Sequence, residues 1–387
     1  MNNSCLVANP NREEYLKMNK KIYLISIIAC LIIAAYPVQG IAQAPEKPKE
    51  PIVSAENAIV IEESTGKILY EKNSRKLAYP ASITKIMTAL ITIESGDLDR
   101  KRKVPDAAVG IEGSSIYLAA GERLSLRDLV YGLMLRSGND AAVAISCLVD
   151  SSTSNFVDKM NARAKEIGVK NTNFVNPNGL FNENHYTTAY DMAFIAREAM
   201  KNEEFKEVAK AKSWVADRGQ GGYNNFYNKN KVVFDYPGGT GIKIGYTIRS
   251  GRTLVASAER NGMSLICVVM RAPDWFNDSY KLMDYGFECF EMNKILEGQT
   301  RMKAIPVKNG NKDHVFIGLK DSISYPSYKN SDAIIEMIYR VPTCILPPVK
   351  RWQEAGSLEV YIDGSYASSH PLYFLEDIGL SKSRFLF

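Results

Sequence analysis

Thr253-Leu254-Val255-Ala256-Ser257-Ala258-Glu259-Arg260-Asn261-Gly262-Met263-Ser264-Leu265-Ile266-Cys267-Val268-Val269-Met270 decides how the chain folds. Two apolar runs, 253–257 and 264–270, flank Asn261-Gly262, a dipeptide that tolerates the positive φ angles of a tight hairpin turn. Just upstream, Ile242, Ile244 and Tyr246 alternate with Lys243 and Gly245, the period of a further strand. Far towards the N-terminus, residues 58–63 and 67–70 predict a second hairpin around Ser64-Thr65-Gly66. Between these ends, helical spacing predicts helices over 82–94, 126–135, 141–149, 154–167 and 188–200. Helices in the middle with strands at both ends predict an α/β (α+β) domain whose antiparallel sheet unites the two ends. From Arg301 onward the chain changes character. Short alternating segments at 303–307, 314–318, 333–340, 357–362 and 372–375, with turns at Asn309-Gly310 and Asp363-Gly364, predict a small all-β domain.

The 387 residues carry a formal net charge of +5 with no concentrated basic run, so nucleic acid is not an expected partner. Hydrophobic residues make up 45% and charged residues 24%, ordinary for a folded globular protein. His185, His314 and His370 are not spaced as metal ligands, which argues against a zinc hydrolase. Cys147, Cys267, Cys289 and Cys344 form no Cys-x-x-Cys pair, and the first two sit inside apolar runs as small hydrophobes rather than in a disulfide framework.

At the N-terminus, Lys20 and Lys21 precede an apolar run over 22–35, Pro37 breaks it, and Gly40, Ala42 and Ala44 follow. That order is the one of a secretory signal peptide, with cleavage expected after Ala42 and a possible true start at Met18. A retained single anchor is the alternative, although the run is short for a span of about 20 residues. The expected organisation is a signal peptide at 1–42, a linker at 43–54, a catalytic domain at 55–297 and a C-terminal β-sandwich-like domain at 298–387. An exported protein is expected, in the periplasm or on the outer face of the cytoplasmic membrane.

The chemistry begins at Ser82-Ile83-Thr84-Lys85, at the head of the first helix. Residues three apart share a helix face, so the Ser82 hydroxyl and the Lys85 amine project together. A serine oxygen is a weak nucleophile until a base takes its proton. Lysine can be that base once burial and a nearby cation strip its charge. An N-cap serine with a surface lysine would spell the same four residues, so two further segments carry weight. Ser137-Gly138-Asn139 offers a hydroxyl that could relay protons and an amide that could bind both lysine and a peptide bond. Lys243-Ile244-Gly245-Tyr246, on a glycine-preceded strand, offers a cation for a carboxylate and a backbone N–H for an oxyanion. Read singly, the second is also an ordinary loop and the third a plain strand.

Together the three motifs match the set Ser-x-x-Lys, Ser-x-Asn and Lys-Thr-Gly of the penicillin-binding enzymes. The chain resembles the serine D-Ala-D-Ala carboxypeptidases among the low-molecular-mass penicillin-binding proteins over roughly residues 52 to 380. The resemblance runs through Tyr79-Pro80-Ala81-Ser82-Ile83-Thr84-Lys85, Leu118-Ala119-Ala120-Gly121-Glu122 and Leu135-Arg136-Ser137-Gly138-Asn139-Asp140-Ala141-Ala142. It continues through Asn176-Pro177-Asn178-Gly179-Leu180, His185-Tyr186-Thr187-Thr188-Ala189-Tyr190-Asp191-Met192-Ala193 and Gly241-Ile242-Lys243. It implies a serine β-lactamase/transpeptidase-like catalytic fold, Ser82 as acyl-forming nucleophile, Lys85 as its base and Ser137 as proton relay. Asn139, Lys243, Gly245 and Tyr246 would bind substrate, the N–H groups of Ser82 and Tyr246 forming the oxyanion hole. Neither cofactor nor metal is implied. The implied partners are a peptidoglycan stem peptide ending in D-Ala-D-Ala and β-lactams as covalent inhibitors.

Two departures qualify the match. Ile244 stands where the family has threonine, and a lost hydrogen bond to a charged group costs on the order of 1.5–3 kcal/mol. A catalytically weakened wall-binding scaffold is therefore the alternative. A β-lactamase is a poorer fit, since no Glu-x-x-Leu-Asn pattern follows Ser137. The terminus Ser383-Arg384-Phe385-Leu386-Phe387 does not read as the amphipathic membrane helix of some relatives, so attachment by that route is not expected. His185 and Asp191 read as bracing residues rather than catalytic ones.

Overall fold

The computed structural model describes residues 49–219, 222–331 and 333–381. The predicted signal peptide and the first part of the linker lie outside them. Five strands, β1 (Asn57–Glu62), β2 (Ile68–Lys72), β3 (Gly239–Thr247), β4 (Gly251–Arg260) and β5 (Met263–Met270), form one antiparallel sheet in the order β2-β1-β5-β4-β3. The chain ends do meet in that sheet: β1 pairs with β5 from Asn57 opposite Met270 to Glu62 opposite Leu265. Asn261 and Gly262 take φ angles of 50° and 75°, the left-handed pair that closes the β4–β5 hairpin. Glu62 organises the first hairpin. Its buried carboxylate accepts from the N–H and hydroxyl of both Ser64 and Thr65.

Alternation along the strands separates two cores. Ile59, Ile61, Val255, Ile266 and Val268 face the helical block, whereas Val60, Leu254, Ala256, Leu265 and Val269 face the opposite side. The block holds α1 (Lys85–Glu94), α2 (Leu126–Leu135), α3 (Asn139–Val149), α4 (Thr153–Ile167), α5 (Ala189–Ala199) and α6 (Glu203–Lys210). α1 is its centre: every residue from Lys85 to Ile93 is buried. Such an all-round burial requires its polar members to be paired, and the hydroxyls of Thr88 and Thr92 donate to the carbonyls of Pro177 and Thr88. Ser125, Ser152, Thr188 and Asn202 cap α2, α4, α5 and α6 by accepting an N–H from the first turn. The far face of the sheet is covered by α7 (Trp275–Cys289).

α7 leads into β6 (Phe290–Leu296), which pairs with β9 (Ile323–Tyr328). β7 (Lys303–Pro306), β8 (His314–Gly318), β10 (Ile335–Arg340), β11 (Glu354–Ile362) and β12 (Ser365–Phe374) build a second sheet in the order β7-β8-β12-β11-β10. Val315, Ile317, Leu358, Val360 and Leu372 fill its core. The result is an α/β catalytic body followed by an all-β one. Among these elements α6, α7, β6 and β9 were not expected from the sequence, although Asn202 and the apolar spacing of Phe205, Val208 and Ala209 mark α6. The strands 290–296 and 323–328 form a pair of their own rather than joining the larger sheet, and their burial alternates weakly.

Candidate active site

Ser82 lies in a 3-10 turn (Ala81–Thr84) that runs directly into α1. Two backbone segments press on this turn from either side. On one, Gly245 of β3 is so close that an added Cβ would stand 2.9 Å from the Ser82 nitrogen. On the other, Gly179, with φ +84°, faces the Ala81 carbonyl, where a Cβ would lie 1.9 Å from the oxygen. Both glycines are required by close approach. Thr253 of β4 completes the clamp by donating its hydroxyl to the Pro80 carbonyl at 3.0 Å. Gly179→Ala is expected to destabilise the fold by on the order of 3 kcal/mol, because clash and left-handed strain add, and to cut activity with it. A thermal melt and D-Ala release assay check this; an unshifted melt would refute the close packing.

Lys85 is fully buried and its Nζ has three neighbours: Ser82 Oγ at 2.9 Å, Asn139 Oδ1 at 2.7 Å and the Asn178 carbonyl at 2.5 Å. Burial pushes its pKa well below the ordinary lysine value, and the charges of Lys243 and Lys229 push the same way, partly opposed by Asp140. A neutral amine has two hydrogens and one lone pair. Asn178 O can only accept. Asn139 Nδ2 donates to Glu112 O at 2.7 Å, which fixes its Oδ1 as an acceptor as well. The two N–H groups are thus committed, and the lone pair is left for the Ser82 hydroxyl. This is the geometry of a base aimed at a nucleophile.

Asn139 opens α3, and its own N–H donates to Ser114 O at 2.7 Å. The adjoining Asp140 carboxylate holds the 115–118 loop, accepting from Ser115 Oγ and the N–H groups of Ile116 and Leu118. Ser137, two residues before Asn139, is buried with φ 62°, a left-handed conformation that serine seldom adopts.

Lys243, also buried, has its pKa lowered to about 7 by burial and by the charge of Lys229. Its Nζ donates to the Ile244 carbonyl at 3.0 Å. Along β3, Lys243 and Gly245 face Ser82, while Ile244 packs against the opposite core with Trp275 and Phe276. β3 is an edge strand, so its outer N–H and C=O groups are free of sheet pairing. Tyr246, opposite Arg252, exposes 61% of its surface, so the role open to it beside Ser82 is through its backbone.

His185 is held as a brace. It accepts the Val175 N–H at Nδ1 and so presents Nε2–H to Thr84 Oγ1 at 2.8 Å. Burial, with the nearby Lys85 charge, lowers its pKa to about 4. Asp191 accepts from Asn171 N–H and Thr172 Oγ1, a packing role as expected. The structure thus joins Ser82, Lys85 and Asn139 by direct hydrogen bonds and sets Gly245 against the Ser82 nitrogen. Sequence reasoning missed the Asn178 carbonyl, the Asp140 clamp and Lys229. Of these, Asn178 and Asp140 lie in stretches that carry the family resemblance, whereas Lys229 gave no signal.

The family description "D-alanyl-D-alanine carboxypeptidase" matches residues 43–274, and "Penicillin-binding protein 5, C-terminal domain" matches residues 290–379. A D-alanyl-D-alanine carboxypeptidase of Bacillus subtilis, DacF, is 32% identical over 379 residues, 93% of this chain and 95% of that one. DacA of Haemophilus influenzae is 31% identical over 346 residues, covering 85% and 86% of the two chains. The crystal structure of penicillin-binding protein 5 from Haemophilus influenzae superposes with a TM-score of 0.72 at 29% identity, covering 86% of this chain and 99% of that one. These likenesses do not favour the non-catalytic reading raised by Ile244. With Ser82, Lys85 and Asn139 joined at the head of α1 and both bodies of the fold matched, the chain belongs to the D-alanyl-D-alanine carboxypeptidase family.

Proposed function

We propose that this enzyme removes the terminal D-Ala from peptidoglycan stem peptides through an acyl-ester on Ser82. The observation that carries the reading is buried Lys85 Nζ 2.9 Å from Ser82 Oγ, with its other two partners both acceptors. A peptide ending in D-Ala-D-Ala lies along β3 with its carboxylate towards Lys243. Lys85 takes the Ser82 proton as Oγ attacks the carbonyl between the two D-Ala residues. The N–H groups of Ser82 and Tyr246 hold the oxyanion. As the C–N bond breaks, the proton passes by way of Ser137 to the leaving amine and D-Ala departs. Water, deprotonated by Lys85, then hydrolyses the ester. Asn139 orients the base and the scissile amide. β-Lactams acylate the same oxygen, and their amide nitrogen receives the same proton.

The test combines labelled penicillin with a D-Ala release assay on a D-Ala-D-Ala pentapeptide. A covalent adduct on Ser82 together with D-Ala release is expected; neither appearing would sink the reading. Rapid turnover of the antibiotic would point to a β-lactamase instead.

The charged, apolar and small-residue order of 20–44 supports export to the cell envelope. The mature protein from an envelope fraction is expected to begin at Gln43, as read by N-terminal sequencing. Recovery of the intact N-terminus would favour a retained anchor.

A further inference from the structure

The placement of the reaction fixes which way a substrate runs. With its terminal carboxylate near Lys243 and its scissile carbonyl at Ser82 and Gly245, a peptide along the edge of β3 must send its upstream residues past Tyr246. There, around the strand edge on the face that carries α7, lies a cavity of about 800 Å³ lined by Tyr246, Arg252, Arg271, Pro273 and Trp275, with Glu56 on its wall. Tyr246 and Arg252 are directly opposed across β3 and β4, and such pairs have Cβ atoms about 4.5–5.5 Å apart. Arg252 therefore shares a sheet face with Tyr246, the residue that follows Gly245 beside the Ser82 nitrogen.

Arg252 is held in place rather than left to roam. Its Nη1 donates to the Pro273 carbonyl at 2.6 Å, and its guanidinium stands 5.8 Å from the Trp275 ring centroid. It has no carboxylate partner among the described residues. Arg271 has φ 50° and pairs with Glu56 at 3.3 Å, a carboxylate that also stands 4.0 Å from Lys76. Two cations against one carboxylate, flanked by two aromatic faces, suit a ligand that combines a carboxylate with flat amide groups.

We propose that this cavity is a second substrate subsite, which takes a carboxylate-bearing residue upstream of the cleaved D-Ala-D-Ala pair. The acidic second residue of a stem peptide supplies that group. The proposal rests on the carboxypeptidase reading and names what that reading leaves open, the part of the substrate that is recognised beyond D-Ala-D-Ala.

The experiment measures kcat/KM for three substrates: the pentapeptide L-Ala-γ-D-Glu-L-Lys-D-Ala-D-Ala, the same peptide with the glutamate α-carboxylate amidated, and diacetyl-L-Lys-D-Ala-D-Ala. Wild type is expected to prefer the acidic pentapeptide over its amide. In the double variant Arg252→Ala, Arg271→Ala that preference should vanish. The acidic peptide should lose about ten-fold, mainly through KM, while the short acetylated peptide is unchanged. Arg252→Lys should restore part of the preference. Labelled penicillin monitors whether the variants retain a folded site. An unaltered acid-to-amide ratio in the double variant, or an equal fall on all three substrates, overturns the subsite. A wild type that cleaves none of the three removes the carboxypeptidase reading, and the subsite with it.

Discussion

Ser82→Ala is expected to give no penicilloyl adduct by mass spectrometry and no measurable D-Ala release. Only Ser82 Oγ is within hydrogen-bonding distance of the buried amine among the described side-chain hydroxyls, at 2.9 Å. Deleting the nucleophile of a serine hydrolase costs roughly 10⁶ in kcat, leaving what binding and the oxyanion hole supply. The fold should survive, because the turn is held by Thr253 Oγ1 on Pro80 and by close backbone packing at Gly179 and Gly245. A melt close to wild type with activity gone is therefore the predicted pair of results. Residual acylation at a second serine would show that another oxygen carries the ester.

Lys85→Met should have the next largest effect, a fall of roughly 10²–10⁴ in D-Ala release, the range for losing a general base. Methionine is close in volume and leaves no buried charge. It does leave Asn139 Oδ1 and the Asn178 carbonyl without their donor, at a cost of about 1–3 kcal/mol in stability. The pH dependence separates a base from a mere structural strut. Lys85 works only when neutral, so wild-type kcat/KM should fall as the pH drops through its lowered pKa. Burial is the largest cause of that lowering and the Lys243 charge the next. Removing the cation with Lys243→Met makes protonated Lys85 less costly and raises its pKa. The acid limb of the profile is then expected to move to higher pH. A limb that stays where it was would refute the coupling of the two lysines.

Isoleucine at 244 illustrates what the letters of a motif leave open. The departure from threonine suggested a weakened site. In the fold, the side chain packs against the core on the face opposite the helical block, and the Ser82–Lys85–Asn139 network stands without it. Alternation on a strand is legible in a sequence, but which face meets the nucleophile is not.

Much else was legible because it is local. Asn-Gly at 261–262 closes a hairpin, period-two alternation sorts β4 and β5 onto two cores, and spacing of three brings Ser82 and Lys85 together. These follow from covalent geometry and need no distant partner. β6 gave little signal because its burial alternates weakly.

The sequence by itself determined the sheet-and-helix order, the nucleophile and the identity of its base. Only the tertiary structure decided that the base is buried, with a pKa well below the ordinary lysine value, and which groups surround its amine. The acceptors that commit its hydrogens lie 54 and 93 residues away, and one is a backbone carbonyl, which leaves no mark in the residue type. Burial and a second lysine lower its pKa, and both are properties of a packed interior rather than of any segment of chain.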